Sequence, residues 1–244
     1  MRITRIYTTQ TLGSNTTVAL EPGPSSHLAR VLRLGVGDPL TLFDGRGGEY
    51  PGEITAVDKK HVQVQTGGHR DIECESGLSI HLGIAISRGE RMDWLVQKST
   101  ELGVTALTPL LTENTGVKLS GDRATKKIQH WQQVAISACE QCGRNRPPVI
   151  HGLQTLENWL ATTDAQSKFV LHHRATTVEA REPPTSIALL VGPEGGLTEA
   201  GEIKAAEQAG FTALRLGPRV LRTETAPLAA IAILQSHWGD MTLL

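Results

Sequence analysis

Residues 191–227 restrict the possible folds more than any other stretch. They read VGPEGGLTEAGEIKAAEQAGFTALRLGPRVLRTETAP. The apolar run 187–191 leads into Gly192-Pro193-Glu194-Gly195-Gly196, and a helical pattern starts at Thr198. A second apolar run, 213–216, leads into Gly217-Pro218-Arg219, and another helix follows from Thr225. Strand, glycine loop and helix are written twice. Such alternation predicts a parallel sheet with helices on both faces, and ligands bind these sheets at loops beyond the carboxyl ends of strands. Glycine carries no Cβ, so backbone amides in the first loop can come close to a bound molecule. Thr225 suits an N-cap, and Pro227 falls in the first turn, where no amide is missed.

At 244 residues the chain suits one large domain or two small ones. No stretch approaches the roughly 18 apolar residues of a membrane span. The amino terminus carries Arg2 and Arg5 and then turns polar, unlike a signal peptide. The formal net charge is −1, so the overall balance does not announce a nucleic-acid partner. Three cysteines, Cys74, Cys139 and Cys142, point to a reducing compartment, and we expect the cytoplasm. Cys139 and Cys142 have metal spacing, but no second ligand pair stands at a sensible distance. The adjacent His172 and His173 should turn their rings apart. No metal is expected at either place.

Residues 1–70 read as a small β domain. Short β-rich runs occur at 3–8, 16–20, 40–43, 50–56 and 61–65, with a hairpin signal at residues 44–48 and a turn at Asp58-Lys59-Lys60. One helix interrupts them. Ser25 or Ser26 can cap it, Leu28, Val31 and Leu32 share a face, and Gly35 suits its C′ position. Five short strands and a helix make a compact barrel. Arg2, Arg5, Arg30, Arg33, Arg46 and the ring of Tyr7 could serve RNA or simply form a solvated surface. Residues 66–77 are polar and poor in apolar side chains, and the domain boundary is expected there. From residue 78 strands alternate with helices at 78–86, 91–102, 104–111, 122–142, 149–151, 155–160 and 169–171. Gly103 and Gly143 stand at two helix ends.

The common ligand fingerprints are missing: no P-loop, no dinucleotide glycine pattern, no nucleophile elbow and no zinc-protease motif. What remains is a pair of adjacent glycine loops with Glu194, Glu224, Arg219 and Arg222 beside them. Backbone groups of such loops suit the edge of a flat heteroaromatic ring, and carboxylates suit a positive centre. This predicts a small-molecule site without naming its ligand. Two tight turns that need glycine for positive φ would read the same way.

The loop GPEGGLTEAG (residues 192–201) and the run LGPRVLRTETA (residues 216–226) together resemble the SPOUT class of RNA methyltransferases. More closely, they resemble the bacterial family that methylates N3 of a uridine in 16S ribosomal RNA. Residues 2–7 (RITRIY), 27–33 (HLARVLR), 98–104 (KSTELGV) and 140–144 (EQCGR) agree with that family. The segment 87–91 departs from its usual wording but stays basic through Arg88 and Arg91. The resemblance implies a PUA-like RNA-binding barrel over residues 1–70 and a SPOUT methyltransferase domain over residues 71–244. It also implies a deep trefoil knot, which no pattern in the chain predicts, since chains rarely thread loops. The donor would be S-adenosylmethionine. Carried over, its site comprises Leu171, His172, Gly192, Pro193, Glu194, Gly195, Gly196, Leu216, Gly217, Leu221, Arg222, Thr223, Glu224, Thr225 and Ala226. RNA contacts would come from Arg2, Arg5, Tyr7, Arg30, Arg33, Arg88, Arg91 and Arg144. The resemblance further implies a homodimer acting on 16S ribosomal RNA of the small subunit.

The chemistry makes its own demand. Uracil N3 carries an imide proton and is a poor nucleophile until that proton leaves. Alignment, stabilisation of the uracil anion and a proton route are required. Arg222, or an arginine such as Arg88 or Arg144 reaching in, is the candidate to stabilise the anion; Glu194 or Glu224 is the candidate proton acceptor. Three rivals stand beside this reading. They are a non-catalytic RNA binder in ribosome assembly, another α/β enzyme with a nucleotide ligand, and a SPOUT enzyme acting at another RNA position.

Overall fold

The computed structural model describes residues 3–58, 61–117, 119–173, 175 and 182–242. Arg2 and the Lys59-Lys60 turn lie outside the described residues. The chain divides into two compact units: residues 1–75 with 139–147, and residues 76–138 with 148–244.

In the first unit β1 (Thr4–Tyr7), β2 (Thr17–Ala19), β3 (Pro39–Phe43), β4 (Tyr50–Val57) and β5 (Val62–Thr66) form one sheet in the order β1-β3-β4-β5-β2. β1 runs parallel to β3, and the other pairs are antiparallel. Alternate residues Ile6, Leu40, Leu42, Ile54, Val62 and Val64 fill the core with Leu20 and Leu28. The helix begins earlier than its serines suggest. α1 (Pro22–Ser26) starts on a proline and widens into a π turn, His27–Val31. Ser25 is therefore inside the helix, where its hydroxyl donates to the Leu20 carbonyl (3.0 Å) and accepts the Val62 amide (3.0 Å). The left-handed residue beyond the helix is Arg33 (φ 56°), not Gly35.

The segment 139–147 gives this unit its buried polar links. The Arg5 guanidinium pairs with Glu49 and donates to the Gly143 carbonyl at 3.2 Å. Arg144 is 3% exposed and holds both carboxylate oxygens of Glu75, the closest at 2.6 Å. The side-chain amide of Asn145, fully buried, donates to the Ile72 carbonyl at 2.6 Å. A buried guanidinium needs such partners, because stripping it of water without them costs several kcal/mol (about 3–5 when one partner of a buried pair is removed).

In the second unit β6 (Ser79–Ala85), β7 (Ala106–Leu111), β8 (Val149–Ile150), β9 (Gln154–Thr155), β10 (Ser167–Leu171), β11 (Ser186–Val191) and β12 (Thr212–Leu214) form one parallel sheet. Its order is β12-β10-β11-β6-β7-β8, with β9 also pairing β7. The helices are α2 (Arg91–Glu101), α3 (Gly121–Cys142), α4 (Leu156–Thr162), α5 (Lys204–Gln208) and α6 (Ala226–Trp238), and α5 follows a π turn at Glu199–Ile203. The last turn of α3, from Cys139, counts with the first unit. Both sheet faces are covered, which is why the strands read as unbroken apolar runs. Ile187, Leu189 and Val191 point into one core with Leu95, Trp131 and Ile231. Ala188 and Leu190 point into the other with Trp159 and Ala206. Gly83 on β6 leaves room for Trp159, since a Cβ there would come within 2.5 Å of the indole. Parallel strands put all their carboxyl ends on one edge, so the loops after β10, β11 and β12 stand side by side.

Candidate active site

Those three loops enclose a cavity of about 430 Å³. That is within the range of small-molecule sites. Its walls are Leu171, His172 and His173 after β10, residues 191–197 with Glu199 and Ile203 after β11, and residues 214–216 and 219–221 with Thr223 and Ala226 after β12. Eleven of the expected donor residues line it: Leu171, His172, Gly192, Pro193, Glu194, Gly195, Gly196, Leu216, Leu221, Thr223 and Ala226. Gly217, Arg222, Glu224 and Thr225 do not line it. Gly217 has φ 66° and its carbonyl accepts from Arg215 Nε at 3.0 Å, so it shapes the loop. The Arg222 carbonyl accepts the amides of Thr225 and Ala226, both at 2.9 Å, while its side chain is exposed. Thr225 begins α6, but its hydroxyl makes no capping bond.

The β11 loop is tied down from three sides. Gly192 allows close folding: a Cβ there would lie 2.9 Å from Leu197 Cγ. Gly196 has φ 72°, a conformation that favours glycine. Asn114, in the loop after β7, donates to the Gly196 carbonyl at 3.0 Å. Glu202 is 5% exposed and its two carboxylate oxygens accept different amides, Glu113 at 2.8 Å and Thr198 at 2.9 Å. The Thr198 hydroxyl accepts the Glu202 amide in return, at 3.2 Å. This reciprocal cap starts the helix as the sequence suggests, and Glu202 adds a clamp across two loops. Neither Glu202 nor Asn114 stood out in the sequence; the pairing of β7, β6 and β11 is what brings them together.

Glu194 faces Arg91, whose guanidinium lies 2.8 Å from its carboxylate. Burial alone would raise the Glu194 pKa, but hydrogen bonds from its own amide, from Arg91 and from the Arg88 amide bring it below the usual carboxylate value. An acid held in that state is a weak base. His172 and His173 do not diverge: their rings meet edge to face with centroids 5.1 Å apart. His172 Nε2 lies 3.8 Å from Glu199. The expectation that adjacent rings part fails because the chain turns directly after β10. Among the described residues no group of three or more His, Cys, Asp or Glu side chains could hold a metal ion. The Cys139 thiol is hydrogen-bonded with Cys142 and buried, and both effects push its pKa up, keeping it protonated.

The expected RNA contacts divide. Arg30, Arg33 and Arg88 are exposed. Arg91 is exposed but engaged with Glu194, and Arg5 and Arg144 are committed to buried partners in the first unit. Tyr7 is half-buried with its ring against Phe43, and burial, then Asp44 and Glu21, raises the pKa of its phenol. Cavity residues that the sequence reading missed include His173, Leu197, Glu199, Arg215 and Val220. They lie within three residues of a strand end or glycine loop, and that position was the available signal.

Among the described residues no helix is long and apolar enough to cross a membrane. The family model for an RNA methyltransferase domain matches residues 74–235, and that for an RNA methyltransferase PUA domain matches residues 25–66. A ribosomal RNA small subunit methyltransferase E from Buchnera aphidicola (subsp. Acyrthosiphon pisum) is 35% identical over 98% of this chain and 95% of its own. The protein of that name from Bacillus subtilis is 31% identical over 84% of each. The structure is similar to a ribosomal RNA small subunit methyltransferase E from Neisseria gonorrhoeae bound to S-adenosyl methionine, with TM-score 0.93, 40% identity and coverage of 99% of this chain and 100% of that one. It is also similar to a Legionella pneumophila methyltransferase in complex with the cofactor SAM, with TM-score 0.94, 39% identity and the same coverage. A near-full-length match to relatives of one name, on a fold whose glycine loops enclose a cavity, is enough to place it: the chain belongs to the RNA methyltransferase family of the ribosomal RNA small subunit methyltransferase E proteins.

Proposed function

We propose that this protein transfers a methyl group from S-adenosylmethionine to N3 of a specific uridine in 16S ribosomal RNA of the small subunit. The single observation that carries the reading is the cavity at the ends of β12, β10 and β11, walled by two glycine loops, in a chain of this family. The residues fit the donor. Gly192, Gly195 and Gly196 would let backbone meet a flat base, Leu171, Leu216 and Leu221 would supply apolar wall, and the lining carboxylates Glu194 and Glu199 would suit its positive charge. When bound, the donor supplies an electrophilic methyl group on a sulfonium. The described strand order, with β11 between β6 and β10, supports a SPOUT domain over residues 71–244. The trefoil knot and the placing of the donor within it belong to this proposal.

The protein's own residues must orient the uridine, stabilise its anion and take its proton. Arg222, exposed and set between the lining residues Leu221 and Thr223, is proposed to meet the developing charge on the uracil carbonyls. Glu194 is the first candidate proton acceptor. Its hydrogen bonds and lowered pKa favour a positioning role through Arg91, which leaves Glu224, half-buried between the lining residues Thr223 and Ala226, as the alternative acceptor. The amino-terminal residues 1–70, through the exposed Arg30 and Arg33, are proposed to hold RNA as a PUA-like domain. A homodimer is proposed because Val220, on the cavity wall, is 80% exposed and Ile233 on α6 is 55% exposed; a second copy would cover both. A ribosomal substrate sets the cytoplasm as the place of action.

Calorimetric titration with S-adenosylmethionine, beside a Gly195→Trp variant, tests the donor site. Binding by the wild type and none by the variant is expected. Small subunits lacking the modification are then the substrate for methylation by wild type, Glu194→Gln and Arg222→Ala. Near-normal turnover with donor binding intact removes that residue from the catalytic list. No donor binding by the wild type, with or without subunits, refutes the function.

A further inference from the structure

The first half of α3 carries a charge pattern that the donor site does not use. Between Gly121 and Ala138 the sequence holds Arg123, Lys126, Lys127 and His130 against one acid, Asp122. The four basic residues are spaced i, i+3, i+4 and i+7, so they share one face of the helix. All four are exposed. Arg123, Lys126 and Lys127 have no ion pair among the described residues. The inward face of the same helix is apolar, with Ile128, Trp131, Val134 and Ala135 packed on the core.

This helix is fixed to the loops of the active site. Asp93 of α2 bonds both His130 Nε2 at 2.7 Å and Trp131 Nε1 at 2.9 Å. At the start of α2, Arg91 pairs with Glu194 of the donor loop. Arg88, just before it, donates to the Gly116 carbonyl at 3.3 Å, in the loop that enters α3. Asn114 of that loop also touches the β11 loop. A continuous chain of interactions therefore links the cavity to the basic stripe within one compact unit.

We propose that Arg123, Lys126 and Lys127 of α3 form a phosphate-binding track that holds the RNA substrate while its target uridine enters the cavity. This inference rests on the proposed RNA methyltransferase function. Arg123 to Lys127 spans about 6 Å along the axis, enough to meet successive phosphates of one strand. The exposed positions between them are Thr125 and Gln129, with no large apolar side chain to bury against a protein or a lipid. Unpaired cations around a polar face suit a regular polyanion, and phosphate contacts position RNA without reading its sequence. The whole chain carries a net charge of −1, so a local track is what its RNA affinity would need.

The test uses the full-length protein with Arg123→Gln, Lys126→Gln and Lys127→Gln combined, and a charge-keeping control with Arg123→Lys, Lys126→Arg and Lys127→Arg. Binding to unmodified small subunits is titrated over a range of salt, together with KM, kcat, donor affinity and thermal melting. In the glutamine variant subunit affinity should fall at least tenfold. The slope of log affinity against log salt should shrink by roughly two to three, at about 0.7–0.9 for each phosphate no longer neutralised. KM should rise, while kcat at saturation, donor affinity and melting stay near wild type. The charge-keeping control should behave as wild type. An unchanged affinity and salt slope in the glutamine variant, or an equal loss in the control, overturns the track. Absence of methylation by a wild type that binds subunits refutes the functional reading instead, and the binding titration still decides the track.

Discussion

Replacing Glu202 by alanine should loosen two loops at once. Its carboxylate accepts the amides of Glu113 and Thr198 through separate oxygens, at 2.8 and 2.9 Å. Hydrogen bonds to a charged partner contribute about 1.5–3 kcal/mol each, so the pair contributes roughly 3–6 kcal/mol when both amides stay dry. Glu113 is exposed and Thr198 half-exposed, so water recovers part of this. A net loss of about 2–4 kcal/mol follows. For a unit of this size that lowers the melting temperature by roughly 4–16 °C. Glu202→Gln should lose about half as much, because one oxygen still accepts while the new amide nitrogen faces a backbone N–H. Since the clamp holds the β11 loop, both variants should also weaken S-adenosylmethionine binding, the alanine at least tenfold, or about 1.4 kcal/mol. Thermal melts with and without donor, and calorimetry, read both effects. A melting temperature within about 1 °C of wild type, with unchanged donor affinity, would refute the clamp.

Three further outcomes are expected. Gly192→Ala places a Cβ 2.9 Å from Leu197 Cγ and 3.1 Å from its amide, so donor affinity should drop; Gly152→Ala, with open space around it, should be neutral by the same titration. Equal behaviour of the two would show that the loop yields freely. Glu75→Ala strands the buried Arg144 and should cost about 3–5 kcal/mol in a chemical melt. The Glu75→Leu/Arg144→Met double variant, which removes both charges, should lose less, and a greater loss would contradict the pairing argument. His81 has its pKa lowered to about 4, first by burial and then by His151. In an unfolded chain histidine titrates near 6.5, so there the unfolded state takes the proton first. Its contribution is complete above pH 6.5 and is lost as pH falls towards 4, up to about 3 kcal/mol. Urea midpoints for wild type and His81→Asn between those values should converge at low pH; parallel curves would refute it.

The two terminal βα units were legible because buried parallel strands read as apolar runs and their loops need glycine. Gly103 and Gly143 marked helix ends correctly, and both adopt positive φ (87° and 96°). Arg33 did not, since a left-handed arginine beside a π turn has no sequence signature. Sheet order was also hidden. The placing of β11 between β6 and β10 is decided by packing on both faces, and no local pattern encodes it. The clamp by Glu202 and the burial of Arg5 and Arg144 share that cause. Each depends on partners far along the chain, Glu113, Glu49 and Glu75, whose nearness only the fold creates.

The segment 139–147 carries a consequence for how the protein is made. Arg5 emerges early from the ribosome, but the Gly143 carbonyl it binds is translated nearly 140 residues later. Glu75 likewise waits about 70 residues for Arg144. At about 5–20 residues per second, these waits are roughly 7–28 s and 3–14 s. During them the nascent first unit holds an Arg5 guanidinium that has Glu49 but not the Gly143 carbonyl, and a Glu75 carboxylate whose arginine does not yet exist. The unit that starts first is therefore completed in the middle of synthesis of the second, and a fragment ending at residue 75 lacks the strand of chain that closes it.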